Sequence, residues 1–201
     1  MRLGGGLELD SRGWPVRFDL DGQLGGNGLV RLPVSGPPLR VETANITARY
    51  HATQGETWSA RAYVSGLQQD GLRLRTAQLT GEGRIVPEGA RRASGVLGFT
   101  LSGLDHEDTV LARAIGPSPQ GKARFFWQDG EPLHVQEVTL SSGDLSLSGT
   151  GDIGGLPAGL PVTGEAMLRI GNLTRFAAVA KRDLAGSAEA TLTGSGSVLG
   201  G

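Results

Sequence analysis

The chain has no cysteine among its 201 residues, which excludes disulfides, thiolate metal sites and cysteine nucleophiles. The same absence leaves the redox compartment open, because an oxidising compartment permits disulfides without requiring them. An excess of one charge is also missing. Nineteen Lys and Arg against 20 Asp and Glu leave a net charge of -1, so no basic surface points to nucleic acid. Lysine is confined to Lys122 and Lys181, and aromatic residues make up only 5% of the chain. No stretch approaches the roughly 18 apolar residues of a membrane span. The opening MRLGGGLELD lacks the basic and apolar regions of a signal peptide. The chain therefore reads as soluble. It begins and ends in mid-pattern, so it also reads as a single internal segment, residues 1–201, of something longer.

What is abundant is glycine, with 34 residues, roughly 17% where about 7% is ordinary. Period-two alternation runs through the rest. In GWPVRFDLDGQL, Trp14, Val16, Phe18 and Leu20 oppose Arg17, Asp19 and Asp21. In TWSARAYVSGL, Trp58, Ala60, Ala62 and Val64 oppose Ser59, Arg61 and Tyr63. Leu97, Phe99 and Leu101 oppose Gly98, Thr100 and Ser102, while Ala123, Phe125 and Trp127 oppose Lys122 and Arg124. SAEATLTGSGSV sets Ala188, Ala190, Leu192 and Val198 against Glu189, Thr191 and Thr193. Such alternation predicts antiparallel strands with one dry face and one wet face.

Two segments carry helical spacing instead. LDHEDTVLARAIG predicts a helix over about 105–115, with Asp105 as N-cap, Glu107 and Asp108 in the first turn, and Gly116-Pro117 as the stop. NLTRFAAVAKRDLAG predicts a second over about 174–184, ending at Gly186. These helices expose an internal repeat. A shift of 69 residues aligns Gly95 with Gly164, Phe99 with Leu168, Leu101 with Ile170 and Arg113 with Arg182, giving units of about 79–116 and 147–186. A shorter echo recurs in LRVETANIT, LRLRTAQLT and LHVQEVTLS. Each copy switches apolar parity midway, which a bulge or bend explains.

The chemistry-bearing spellings are weak. GTGDIG (149–154) is a literal G-x-G-x-x-G, but the following Gly155-Leu156-Pro157-Ala158-Gly159 cannot open the helix that a dinucleotide turn requires. Its letters are better divided between faces: Leu145, Leu147, Gly149, Gly151 and Ile153 dry, Ser146, Ser148, Thr150 and Asp152 wet. His51, His106 and His134 share no spacing that suits a metal or a catalytic role. No serine sits in a G-x-S-x-G elbow. The expectation is a non-enzymatic protein without cofactor or metal.

The continuous feature is the apolar face. Two such faces pressed together make a β-sandwich, and alternation alone does not exclude one. Many inward positions are small, however, among them Gly149, Gly151, Ala166, Ala188, Ala190, Gly194 and Gly196. A sheet bent into a trough would leave room for acyl chains, each buried methylene contributing about 0.8 kcal/mol.

The runs LSLSGTGDIGGL, VTGEAMLRIGNL, TRFAAVAKRDLAG and LSGLDHEDTVLARAIGP, with KARFFWQDGEPLHVQEVTL, resemble the repeat grammar of the TamB family within the AsmA-like group. The resemblance covers most of residues 66–201, and residues 1–65 by general pattern only. It implies a mainly β fold: an elongated, repetitive antiparallel sheet bent like a taco around a hydrophobic groove, plus the two short helices. It further implies the periplasmic part of a long, inner-membrane-anchored protein of a Gram-negative envelope. Such proteins move phospholipids to the outer membrane and, with the outer-membrane partner TamA, support barrel-protein assembly. Neither the anchor nor the TamA-binding region falls in this segment. The expected lining of the groove is Leu97, Phe99, Leu101, Leu145, Leu147, Ile153, Leu168, Ile170 and Leu192, with phospholipid acyl chains as ligand. The alternative is a secreted repeat β-scaffold, adhesin- or passenger-like, that binds protein or glycan with its outer face. Solenoid rungs of about 20–30 residues fit a 69-residue period poorly.

Overall fold

A computed structural model describes residues 2–32, 38–107, 109–155 and 160–197. The strands are β1 (Arg2–Leu9), β2 (Pro15–Leu32), β3 (Leu39–His51), β4 (Thr57–Gln69), β5 (Leu72–Val86), β6 (Arg92–Ser102) and the two-residue β7 (Asp105–His106). They continue as β8 (Gln120–Gln128), β9 (Leu133–Ser142), β10 (Leu145–Ile153), β11 (Pro161–Ile170) and β12 (Ala188–Ser197). All join one open antiparallel sheet in chain order, with β7 alone off the path, paired to β5. The fold is mainly β with two short helices, and each long strand lies beside its neighbours in sequence.

Local chemistry sets these boundaries. Between β4 and β5 the turn is Asp70-Gly71, both at positive φ (46° and 79°), which matches the right-handed twist of the flanking strands. The parity switch of the shorter echo falls on ladder irregularities. In β9, Ala123 faces Val138 but Phe125 faces Val135, so one extra residue is accommodated and the apolar side chains on both sides of it share a face. In β3 the pairing with β4 skips from Arg40↔Gln68 to Thr43↔Ser65, and in β5 it skips Arg75 opposite Gly66.

Both helices are shorter than the periodicity predicts. Helix α1 spans Thr109–Ile115, and Asp105 is not its N-cap: Asp105 and His106 pair with Arg73 and Leu72 of β5. The sheet edge takes these backbone groups, with Glu107 N–H donating to Gly71 O at 3.0 Å, so Glu107 precedes the helix. Asp108 lies outside the described residues. The stop is as expected, since Gly116 N–H closes on Ala112 O at 2.8 Å with a φ of 91°. The second helical segment is a 3₁₀ turn over Leu173–Phe176 followed by α2 (Ala177–Ala180), not a helix to residue 184. Asn172 caps it by accepting from Thr174 N–H at 3.0 Å. Lys181 in the left-handed region ends it, and the chain then folds back so that Leu173 N–H reaches Gly186 O at 2.8 Å.

The repeat units fall on β5–β6–α1 and β10–β11–α2, which puts both helices at the same end of the sheet. Arg175 ties them together. Its guanidinium pairs with Asp144, donates to Ser142 O at 3.3 Å, and donates to Arg113 O in the last turn of α1 at 3.5 Å.

The sheet is strongly bent. Trp14, just before β2, stacks on Trp127 of β8 with centroids 5.3 Å apart and planes at 18°. The two strands are five positions apart in the sheet, so a flat sheet would separate them by roughly 24 Å. Curling β2–β8 toward the apolar face closes this distance at one end and builds a small core there, where Trp14, Tyr50 and Ile85 are buried among Phe18, Trp58, Ala93 and Trp127.

At the far side of the sheet β12 has no outer neighbour among the described residues. It carries neither proline nor lysine, the usual guards of an edge. Residues 1–201 expressed alone are expected to self-associate through such edges, seen as concentration-dependent species in sedimentation velocity. A monodisperse monomer at high concentration would contradict this.

Candidate functional site

Following the pairing register from strand to strand shows what the apolar face contains. One row reads Leu20, Ala48, Ala60, Gly81, Leu97, Ala123, Val138, Gly149, Ala166, Leu192 from β2 to β12. The adjacent row reads Gly22, Ile46, Ala62, Leu79, Phe99, Gly121, Leu140, Leu147, Leu168, Ala190. Neither row contains a polar side chain. Directly opposed residues of antiparallel strands share a face, so each row is a continuous apolar track across the whole sheet.

The two rows are also where the face is most open. Leu20, Ile46, Leu79, Leu97 and Leu192 are 40–56% exposed. On one side they are bounded by the row Phe18, Tyr50, Trp58, Gly83, Gly95, Phe125, above the buried Trp14 and Ile85. On the other side lie Val41, Ala44, Leu74 and Ala77, all buried. Among strands β2–β6 the exposed aliphatics therefore form a stripe two residue rows high between packed margins. On the edge strand β1, Leu7 and Leu9 extend the exposed apolar surface. No second sheet covers the stripe among the described residues. An uncovered apolar band this long is unusual and makes this face the candidate binding surface.

All nine residues expected to line the groove lie on this face. Leu97 and Leu192 belong to the first row, and Phe99, Leu147 and Leu168 to the second. Leu101 pairs with Ala77 in the next row out, toward the helices, and Leu145 with Ile170 at the same end of β10 and β11. Ile153 lies at the opposite end, paired with Leu133 and Val162. The expected lining omitted Val138 and Leu140, although the parity switch in LHVQEVTLS marks the β9 bulge that puts them on this face. It also underweighted Leu20, Ile46 and Leu79, although Leu20 alternates plainly. Val198 lies outside the described residues.

Glycines on this face do two different things. The Trp58 indole lies on a bed of Gly81, Gly83 and Gly95, and a Cβ on Gly95 would come within 2.5 Å of that ring. Trp58 Nε1 donates to Ser94 O at 3.1 Å, fixing the ring flat against the sheet. By contrast, a Cβ at Gly194 would meet nothing within 4 Å. Gly149 and Gly151 of the GTGDIG stretch face Ala166 and Gly164 across the ladder. After them Gly154 N–H donates to Pro161 O at 2.7 Å in a strand connection, and no helix follows among the described residues. Leu156 to Gly159 lie outside them.

The polar face carries His51 and His134. His134 Nδ1 meets Asp152 Oδ1 at 2.5 Å across β9 and β10, and His51 Nδ1 meets Thr53 Oγ1 at 2.9 Å. His106 lies apart in β7. Among the described residues no three His, Asp or Glu side chains come together as a metal site. Hollows of about 320 and 880 Å³ lie on this polar side. The first is lined by residues such as Gln78, Thr100 and Gln120, the second by residues such as Arg17, Arg49 and Glu82.

One carboxylate is tied to the curl. Asp10 Oδ1 accepts from the backbone N–H groups of Trp14 and Arg12, both at 2.8 Å. The Trp14 N–H above all holds the Asp10 carboxyl below its ordinary 3.8. The Arg12 N–H and the charges of Arg91 and Arg12 act in the same direction, against partial desolvation. A lowered value means a contribution to stability that is present above 3.8 and lost as pH falls through the folded-state value. Asp10→Asn keeps an acceptor but cannot titrate. Its melting temperature is expected to fall less than the parent's between about pH 5 and pH 2.5; parallel curves would refute this. At the opposite extreme, burial pushes the Tyr50 hydroxyl up, with Glu56 adding to the effect.

No family model, curated protein or solved structure matches the chain.

Proposed function

We propose that the chain is a length of lipid conduit, with the two-row stripe as its track. The observation that carries this reading is the stripe itself: unbroken by any polar side chain across ten strands, exposed in the middle, and uncovered. The ligand that suits such a surface has no hydrogen-bonding groups of its own. A peptide laid on it would bring backbone N–H and C=O groups that the side chains could not satisfy, at a cost of a few kcal/mol each. An acyl chain brings none, and its contacts tolerate sliding because each is weak and nearly identical to the next.

On this reading the protein is a TamB-like, AsmA-like envelope component: the segment lies in the periplasm and passes phospholipids between the inner and outer membranes. On the same reading the protein also supports outer-membrane protein assembly together with an outer-membrane partner such as TamA, a contact to which none of the described residues is assigned. Headgroups remain in water along the open side of the trough. No residue acts as a catalyst.

The test is a photo-crosslinking amino acid placed at Phe99 or Leu147 on the track and at Thr100 or Thr150 on the polar face. Phospholipid capture at the first pair and not at the second is the expected result. Equal capture on both faces would end the conduit reading. The hollow beside Arg17, Arg49 and Glu82 supports a second reading, a scaffold that binds protein or glycan with its polar face. Capture of such a partner through that face, without lipid on the other, would favour it.

A further inference from the structure

The curl of the sheet is closed by side chains alone. The backbone ladder runs the long way round, from β2 through β3, β4, β5 and β6 to β8. Among the described residues no backbone hydrogen bond links the β1–β2 turn to the β5–β6 or β8–β9 connections. Three side chains meet at the seam itself, beside Tyr50 and Ile85 of the small core that Trp14 also joins. Trp14 stacks on Trp127, and the Arg91 guanidinium lies 5.3 Å from the centroid of the Trp14 ring. Arg91 in turn pairs with Asp129 at 2.5 Å, and Asp129 N–H donates to Arg91 O at 2.9 Å. Arg91 and Trp127 are thus anchored to their own side of the seam, with Trp127 Nε1 bonded to Glu131 O at 3.0 Å. Trp14 is the piece inserted from the other side, and its buried Nε1 has no hydrogen-bond partner among the described residues.

From this asymmetry we infer that Trp14 is a latch: it inserts between Arg91 and Trp127 to hold the trough narrow, and its withdrawal opens the trough to admit an acyl chain from the side. Withdrawal breaks one ring stack and one cation–π contact and uncovers an indole that is only 6% exposed when closed, so the open state is the minor one. It breaks no strand pairing, and Arg91, uncovered on one side, keeps its Asp129 partner. The unpartnered indole N–H lowers the cost further, because water satisfies it in the open state. The inserted segment is itself rigid, since Asp10 clamps both ends of its turn. The latch thus moves as a unit.

The inference rests on the conduit reading, and its test separates the two. The chain has no cysteine, so Arg12→Cys and Gly130→Cys place spin labels on opposite sides of the seam without background. Electron–electron distance measurements, with labelled chain diluted in unlabelled, should give one short distance in the parent and a longer, broader distribution in Trp14→Ala. With vesicles of phosphatidylethanolamine and phosphatidylglycerol, lipid crosslinking at Leu97, inside the curl, should rise several-fold in Trp14→Ala. Joining the same two cysteines with a flexible bismaleimide leaves the tryptophans intact and should suppress capture at Leu97 more than at Leu147 on β10, which lies outside the curl. An unchanged distance in Trp14→Ala, confirmed folded by its far-ultraviolet spectrum, would overturn the latch. So would capture at Leu97 that ignores the staple. Absence of lipid at both Leu97 and Leu147 would remove the conduit and the latch together.

Discussion

Gly95→Val is expected to lower the melting temperature by roughly 6–12 °C, from an overpacking cost of about 3 kcal/mol in a chain of this length. The new side chain would drive into the Trp58 ring and into Glu82 O, which lie 2.5 and 2.7 Å from the position its Cβ would take. The ring cannot swing aside cheaply, because its Nε1 is bonded to Ser94 O and Phe125 packs against it at 6.3 Å between centroids. Two comparisons make the result specific. Gly194→Val, in the continuation of the same cross-strand row, meets open space and is expected to stay within about 0.5 kcal/mol of the parent. Trp58→Ala combined with Gly95→Val should cost less than the sum of the two single changes, since one removes what the other strikes. Strict additivity in thermal unfolding would show that the glycine bed is not what holds Trp58.

The second large effect is on conduction and leaves the fold nearly alone. Leu97 is 47% exposed, so Leu97→Asp should change stability by about 1 kcal/mol or less. For a lipid the same change is severe. A carboxylate on the track must shed water each time an acyl chain passes, and full desolvation costs several kcal/mol. Even partial loss, at about 2 kcal/mol, would lower local occupancy roughly thirty-fold. Because the track is a single file of rows, an interruption on β6 should also reduce lipid reaching Leu147 from the β2 side. The matched change Thr100→Asp, on the polar face, should leave capture at Leu147 intact. Equal loss from both substitutions would trace the effect to surface charge and not to the stripe.

The distribution of glycine explains why one kind of prediction was open to the sequence and another was not. Alternation is a property of single strands, so the dry faces of β6, β8, β10 and β12 could be read residue by residue. The bulge in β9 could be read as well, because LHVQEVTLS switches parity within nine letters. What local spelling cannot carry is contact between distant strands. Nothing near Trp14 names Trp127, and nothing in GRI distinguishes a glycine under an indole from the open one in TGS. The helices show the same limit on a smaller scale. Their apolar spacing was legible, but Asp105 was drawn into pairing with Arg73, and Lys181 turned left-handed before the expected end. In both cases neighbouring backbone competed successfully with helical propensity.

The meander has a consequence for how the molecule comes into being. Apart from the two-residue β7 on β5, each strand pairs only with the long strands next to it in the chain, so the sheet can grow in order, strand upon strand, as residues become available from the N-terminus. At every stage the newest strand is a temporary edge, and the apolar rows lengthen by one residue as each strand joins. The exception is the contact between Trp14 and Trp127, which must wait until β8 is in place. Until then Trp14 has only the earlier part of its core, Tyr50 and Ile85, and the growing edge is the stage at which such a chain is most prone to mispairing. The trough therefore completes its curvature late, when the eighth strand delivers the ring on which the first turn closes.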